Sequence, residues 1–188
     1  MEVNSMPLWI IISFSIISAL CIFSVIKLFA RGDIPYGKEA LSTYIFYTIY
    51  FVAIWISRIT IPSYILLLSM LTILGACFLG HYLGGYTKSR TFDRYLHAFG
   101  SFSFSLLTYC TLNNFINTGS SKLFQSVFIF CVGNTLGVFF ELMEMCHDIS
   151  KKEEPKTQKG LRDTDMDMIF NLIGSSLAAI FSFFWLLQ

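Results

Sequence analysis

Residues 123–145, LFQSVFIFCVGNTLGVFFELMEM, form an apolar run long enough to cross a membrane, with two acids close to its end. A helix that spans a bilayer needs about 20 predominantly apolar residues. Carboxylates such as Glu141 and Glu144 are costly inside a membrane segment, so each requires a partner or a function. This run therefore predicts both the fold class and the place where the chain keeps its polar chemistry.

The rest of the chain has the composition of the same class. Of its 188 residues, 55% are hydrophobic and 13% are charged, whereas a soluble domain contains roughly 25% charged residues. The composition predicts an integral membrane protein whose partner is the lipid bilayer. Its net charge of +1 argues against a nucleic-acid partner, because such proteins carry a strongly basic surface.

Hydropathy predicts an all-α, polytopic integral membrane helical bundle of about six transmembrane helices, in a single domain that covers residues 1–188. The predicted spans are 7–30, 40–56, 63–82, 95–112, 123–145 and 166–187. Turn residues, such as Gly32, Pro35 and Gly37 in the predicted loop 31–39, separate these runs. The second and fourth spans are short for a bilayer.

Lysine and arginine predict the orientation of the chain. With six spans, the loops after the first, third and fifth spans hold eleven of the thirteen Lys and Arg residues. Positively charged loops stay on the cytoplasmic side of a membrane. We therefore expect these loops to be cytoplasmic and both termini to be extracytoplasmic.

Histidines and acids collect at the predicted cytoplasmic ends of the spans. Imidazole and carboxylate groups are ligands for zinc, manganese or magnesium, which predicts a divalent metal ion as the candidate cofactor. The candidate metal ligands are His81, Asp93, His97, Glu141, Glu144 and Asp163. A histidine beside a carboxylate can also act as a general acid and base. The candidate catalytic residues are His97, Glu141, Glu144, Asp163 and Asp167.

Helical spacing arranges these polar residues in two stripes. Steps of three or four residues keep side chains on one face of a helix. One stripe contains Asn134, Gly137, Glu141, Glu144 and Asp148, and the other contains Asp163, Asp167, Asn171 and Gly174. Because polar groups avoid lipid, stripes on antiparallel neighbours are expected to face each other. Gly133 and Gly137 form a small-xxx-small pair suited to close helix contact.

Simpler roles compete with these hypotheses. Asp93, Asp163 and Asp165 stand where helices begin and could cap them or stabilise the helix dipole, and His97 could be a packed core residue. His147 and Asp148 are predicted in a loop. Residues 151–159 are predicted to form a solvated loop that touches anionic headgroups.

Three functions remain open from the residues alone. The first is a metal-dependent membrane enzyme that acts on lipid or envelope precursors, with Arg94 and Arg162 either pairing the acids or holding a lipid phosphate. The second is a small proton-coupled transporter that uses Glu141 and Glu144. The third is a non-catalytic structural or envelope-stress protein whose polar cluster fixes helix packing.

Four blocks within residues 81–175 resemble a known family. They are HYLGGYT (81–87), DRYLHAFG (93–100), ELME (141–144) and DTDMDMIFNLIG (163–174). Together they resemble the YjdF-like membrane-spanning proteins of bacteria. More distantly, their order is similar to that of the VanZ-like proteins, from which a longer charged insert before Asp163 departs. The resemblance implies a small multi-pass protein of the bacterial cell membrane and implies no settled activity.

Overall fold

A computed structural model describes residues 6–116, 120–150, 158 and 160–187, and the described part of the chain is helical without a strand. Two of its helices, Ser63–Leu74 and Leu161–Phe181, continue directly into π-helical stretches, Gly75–Tyr82 and Ser182–Leu186. The α-helices are α1 (Leu8–Ala30), α2 (Ile34–Ile56), α3 (Ser63–Leu74), α4 (Gly85–Lys88), α5 (Phe92–Asn113), α6 (Lys122–Ser150) and α7 (Leu161–Phe181). The prediction of an all-α, polytopic membrane protein is confirmed.

Five of the six predicted spans coincide with helices that are long and apolar enough to cross a membrane: Leu8–Ala30, Ile34–Ile56, Ser63–Tyr82, Lys122–Ile149 and Leu161–Leu186. The predicted span 95–112 lies in α5. This helix has 22 residues and thus a length of about 33 Å at 1.5 Å per residue. Its hydropathy falls below that of the other five, because His97 and three buried serines interrupt its apolar residues.

The predicted start of the second span is wrong by six residues, because α2 begins at Ile34. Pro35 and Gly37, predicted as turn residues, belong to its first turns. Proline is favourable at the first positions of a helix, where its missing N–H loses no bond. Gly37 is buried, and a Cβ there would lie 3.2 Å from the ring of Phe29. The corrected α2 has 23 residues, enough for a full span.

Helix ends differ from the predictions at three further places. α6 continues to Ser150, so His147 and Asp148 lie in a helix rather than in a loop. At α5 the N-cap is Thr91, and at α7 it is Gly160. Asp93 and Asp163 therefore lie in the first turn instead of capping it, where their charge still favours the helix dipole.

The contacts divide the chain into two compact units, and α5 contributes residues to both. Unit 1 contains Met1–Leu96 and Cys110–Asn117, and unit 2 contains His97–Tyr109 and Thr118–Gln188. In unit 1, α1 packs against α2 and α3, with Phe14 and Phe51 stacked at 4.1 Å between ring centroids. In unit 2, α6 packs along α7. The single domain remains a prediction.

Candidate functional site

The two predicted polar stripes face each other where α6 packs on α7 in unit 2. Gly133 and Gly137 are buried on α6. A Cβ on Gly133 would lie 2.9 Å from Cβ of Ser175, and a Cβ on Gly137 would lie 2.7 Å from the amide of Asn171. Real Cβ atoms essentially never approach so closely, so any larger residue at either position would displace the side chain of Ser175 or Asn171. The small residues thus bring the polar face of α7 directly onto α6.

A second close approach joins α7 to α5 inside the same unit. A Cβ on Gly174 would lie 2.8 Å from the carbonyl carbon of Ala98 and closer still to its oxygen. Because Ala98 directly follows His97 on α5, the contact between Gly174 and Ala98 determines how far the His97 imidazole reaches into unit 2. The glycines of α6 and α7 therefore determine where the polar side chains of three helices meet.

His97 lies between an amide and a carboxylate, and its side chain is buried. Its Nδ1 is 3.3 Å from Oδ1 of Asn171, and its Nε2 is 3.8 Å from Oε1 of Glu141. The ring of Phe140 meets the imidazole edge to face at 5.5 Å between centroids. With Nδ1 donating to the amide oxygen, Nε2 carries a lone pair and faces a carboxylate.

Asn171 holds this arrangement from α7. Its Oδ1 accepts a hydrogen bond from Oγ of Ser101 at 2.7 Å, in addition to the contact with His97. Its backbone carbonyl accepts from Oγ of Ser175, also at 2.7 Å. An acceptor shared in this way orients the imidazole, as the second shell of a metal site does for its histidine ligands.

Glu141 is a buried carboxylate inside a membrane-spanning helix, with 6% of its surface exposed. Nε2 of Gln158 donates to its backbone carbonyl at 3.1 Å and lies 3.4 Å from Oε2. Within the described residues, Oε1 has no hydrogen-bond partner. A buried carboxylate oxygen of this kind costs free energy unless a cation or a proton offsets it.

Asp167 adds a second buried carboxylate to the cluster, with 3% of its surface exposed. A carboxylate oxygen of Asp167 and a ring nitrogen of His97 lie within 4.8 Å of each other. We call His97, Glu141, Asp167, Asn171 and Ser101 the polar cluster of unit 2. It combines one imidazole and two carboxylates, a donor set typical of transition-metal sites in proteins.

Comparison with known proteins agrees that this chain is a membrane protein. Residues 9–188 match the model of a family described as "Predicted membrane protein (DUF2238)". The chain belongs to this family. It is similar to an uncharacterised protein of Thermotoga maritima, with 34% identity over 101 residues. That match spans 51% of this chain and 50% of the relative. No solved structure matches the chain.

The structure places the remaining predicted site residues of this DUF2238 protein as follows. Glu144 on α6 and Asp163 on α7 are half-buried in unit 2. Asp93 stands four residues before His97 on α5, in the part of that helix assigned to unit 1. His81 also belongs to unit 1, with its Nδ1 3.9 Å from Oε2 of Glu39. Their membership of one metal or catalytic site remains a prediction.

Two members of the site were not singled out from the sequence. Ser101 follows His97 by four residues, so helical spacing could have identified it. Gln158 was predicted in a solvated loop, and for this residue the prediction is wrong, because its side chain is half-buried and bonds Glu141. No sequence periodicity specifies such a contact from a loop. The lysines of that loop, 151, 152, 156 and 159, lie outside the described residues.

Proposed function

We propose that this chain is a membrane protein that binds a divalent metal ion at His97, Glu141 and Asp167 and acts with it on a lipid or envelope precursor. One observation carries the proposal: Nε2 of His97 and Oε1 of Glu141 face each other at 3.8 Å without a hydrogen bond. Two electron-pair donors in a buried place repel each other. A cation bound between these two groups attracts both of them and removes the repulsion.

The donor set fits such an ion. Metal bonds to imidazole nitrogen and carboxylate oxygen are about 2.0–2.2 Å long, which separates two ligands of one ion by about 3 Å. His97 and Glu141, at 3.8 Å, are already close to that spacing, and Asp167, within 4.8 Å of His97, must move closer to join them. Asp93 shares a face of α5 with His97 by helical spacing and is a further candidate ligand. Glu144 and Asp163, which are half-buried, stay outside the proposed set.

The proposed substrate follows from the place of the cluster. Glu141, Asp167 and Asn171 lie in helices that are apolar enough to span a membrane, so a reactant reaches them most readily from the lipid phase. A metal ion there would polarise a phosphoryl or carbonyl oxygen. The proposal also includes three expectations from the sequence. The chain is similar to the YjdF-like proteins, it lies in a bacterial cell membrane, and both of its termini are on the extracytoplasmic side. The likeness to VanZ-like proteins gains no support from the comparisons.

Metal analysis of the purified protein tests the proposal. We expect His97→Ala and Asp167→Asn to lower bound zinc or manganese at least about tenfold, as loss of a ligand does. His147→Ala and Asp165→Asn are matched controls on exposed positions of α6 and α7 and should retain the metal. Mass spectrometry of the protein in detergent measures the metal per chain. Background metal in the unaltered protein, or equal metal in all four variants, would reject the proposal.

A second candidate function, fixed helix packing without catalysis, is favoured by the glycine contacts and by the bond from Ser101 to Asn171. Under either candidate, Asn171→Leu should destabilise the protein by about 2 kcal/mol, because it leaves the hydroxyl of Ser101 and Nδ1 of His97 without an acceptor. Thermal unfolding in detergent measures this cost, with Leu172→Ala at an exposed position of the same helix as the control. Unchanged unfolding of Asn171→Leu would contradict the described network.

The two candidate functions differ in whether Nε2 of His97 carries a proton. Nδ1–H donates to Asn171 in both, but the metal site requires Nε2 without a proton, whereas in a packing role Nε2–H donates to Glu141. Nitrogen NMR of protein labelled at histidine distinguishes the two, and His97→Ala identifies the signal. An Nε2–H that persists when zinc is added would favour packing, whereas a metal site loses this proton to the ion.

A further inference from the structure

Unit 1 contains a cavity that the proposed function does not use. It has a volume of about 240 Å³ and lies where α2 begins and the π-helical stretch after α3 ends. Its walls include most of the block HYLGGYT (81–87), and the polar and aromatic side chains that line it include Asp33, Tyr36, His81, Tyr82, Tyr86 and Lys88. π-helical turns are rare and occur frequently at functional sites, and His81 lies in one.

Glycines shape this cavity. A Cβ on Gly80 would lie 2.8 Å from ring atoms of Tyr86, and a Cβ on Gly85 would lie 2.8 Å from the carbonyl oxygen of Leu79. Gly84 adopts a φ of +80°, which favours glycine. These positions fold the chain back so that Tyr86 covers Gly80 and packs against His81, with the two rings tilted and 4.8 Å between their centroids. The cavity is thus built by the fold of this block.

The cavity presents one carboxylate and one ammonium group. Asp33 occupies the N-cap position of α2 but makes no capping hydrogen bond with its side chain. Nζ of Lys88 donates to the carbonyl oxygen of Leu83 at 2.7 Å. Within the described residues, no ion pair joins Asp33 to Lys88, although both line the cavity. Arg31 stacks on the ring of Tyr82 at 4.6 Å from its centroid, which adds a second cation beside the wall.

We propose that this cavity binds a zwitterionic headgroup, a phosphate ester that also carries a primary ammonium group. The phosphate would meet Lys88, with tyrosine hydroxyls as further donors. The ammonium would meet Asp33 and the tyrosine rings, which attract cations through their π faces. The cavity lies at the ends of two predicted spans, the depth at which headgroups lie in a bilayer. Phosphatidylethanolamine and free phosphoethanolamine share this chemistry.

Native mass spectrometry of the full chain in detergent tests the proposal with three probes: phosphatidylethanolamine, phosphatidylglycerol, which lacks the ammonium group, and free phosphoethanolamine. We expect the ethanolamine lipid to bind at least about fivefold more tightly than the glycerol lipid, the worth of one exposed charge pair. Competition by free phosphoethanolamine at similar concentration would assign the site to a soluble ester, and its failure would assign the site to the lipid.

Two exposed variants complete the experiment. Asp33→Asn and Lys88→Gln should each weaken binding of the ethanolamine lipid about fivefold, while Asp165→Asn should not change it. Equal binding of both lipids together with unchanged affinity in Asp33→Asn and Lys88→Gln would overturn the proposal. The metal content of both variants should remain that of the unaltered protein, so failure of this proposal is distinct from failure of the metal site.

Discussion

Replacing Gly174 by leucine is expected to abolish the folded, monodisperse protein in detergent. A Cβ at this position would lie 2.8 Å from the carbonyl carbon and 3.0 Å from Cα of Ala98. These are backbone atoms of α5, and they cannot rotate away as a side chain does. α7 must therefore move away from α5, which separates Asn171 from Ser101 and His97. Overpacking alone costs about 1–3 kcal/mol, and the lost hydrogen bonds add to this cost.

Size-exclusion chromatography and thermal unfolding measure the effect. Gly174→Ala adds only the Cβ and should fold with a reduced Tm, because the backbones of α5 and α7 must move apart at Ala98 to accommodate it. Leu177→Phe is the matched control: it adds bulk one turn later on α7, where 53% of the side chain is exposed. A Gly174→Leu protein that elutes and unfolds like the unaltered protein would show that α5 and α7 do not approach at Ala98.

The spans were predictable because their physical requirement is simple. A bilayer demands about 20 apolar residues in a helix, and the run 63–82 coincides with Ser63–Tyr82 to the residue. The start of α2 was not predictable by the same rule, since Pro35 and Gly37 are common both in turns and in the first turn of a helix. The end of α6 was not predicted, because hydropathy marks only the apolar part of a helix that lies in the bilayer. The backbone hydrogen bonds of α6 continue beyond that part to Ser150.

The polar cluster was predictable in part, and for a different reason. Helical spacing placed Glu141, Asp167 and Asn171 on the faces by which α6 and α7 meet, because lipid excludes polar groups from the other faces. Spacing gives the face of a helix but not the depth at which two helices touch. That depth depends on contacts such as Gly137 with Asn171. The sequence therefore indicated which residues meet. It did not indicate that His97 contacts Asn171 on one side and Glu141 on the other.

Glu141→Gln is expected to lose the metal ion and at the same time to stabilise the metal-free protein. Glutamine keeps the shape of the side chain and can still accept the bond from Gln158. Its amide N–H can donate to Nε2 of His97 across the present 3.8 Å gap, and the buried charge is gone. We expect metal content to fall at least about tenfold and unfolding free energy to rise by about 1–2 kcal/mol. Metal analysis and thermal unfolding of metal-free protein measure the two effects.

The opposite sign is expected if His97 and Glu141 form a charged packing pair. Glutamine would then leave a charged imidazole buried without its partner, which costs about 3–5 kcal/mol. Glu144→Gln removes a half-buried carboxylate from the same end of α6 and controls for the general effect of that charge; its metal content should change by less than about twofold. A lower Tm for Glu141→Gln with unchanged metal would contradict the metal site. A higher Tm with loss of metal is the result expected of a site that gives up stability in order to bind its ion.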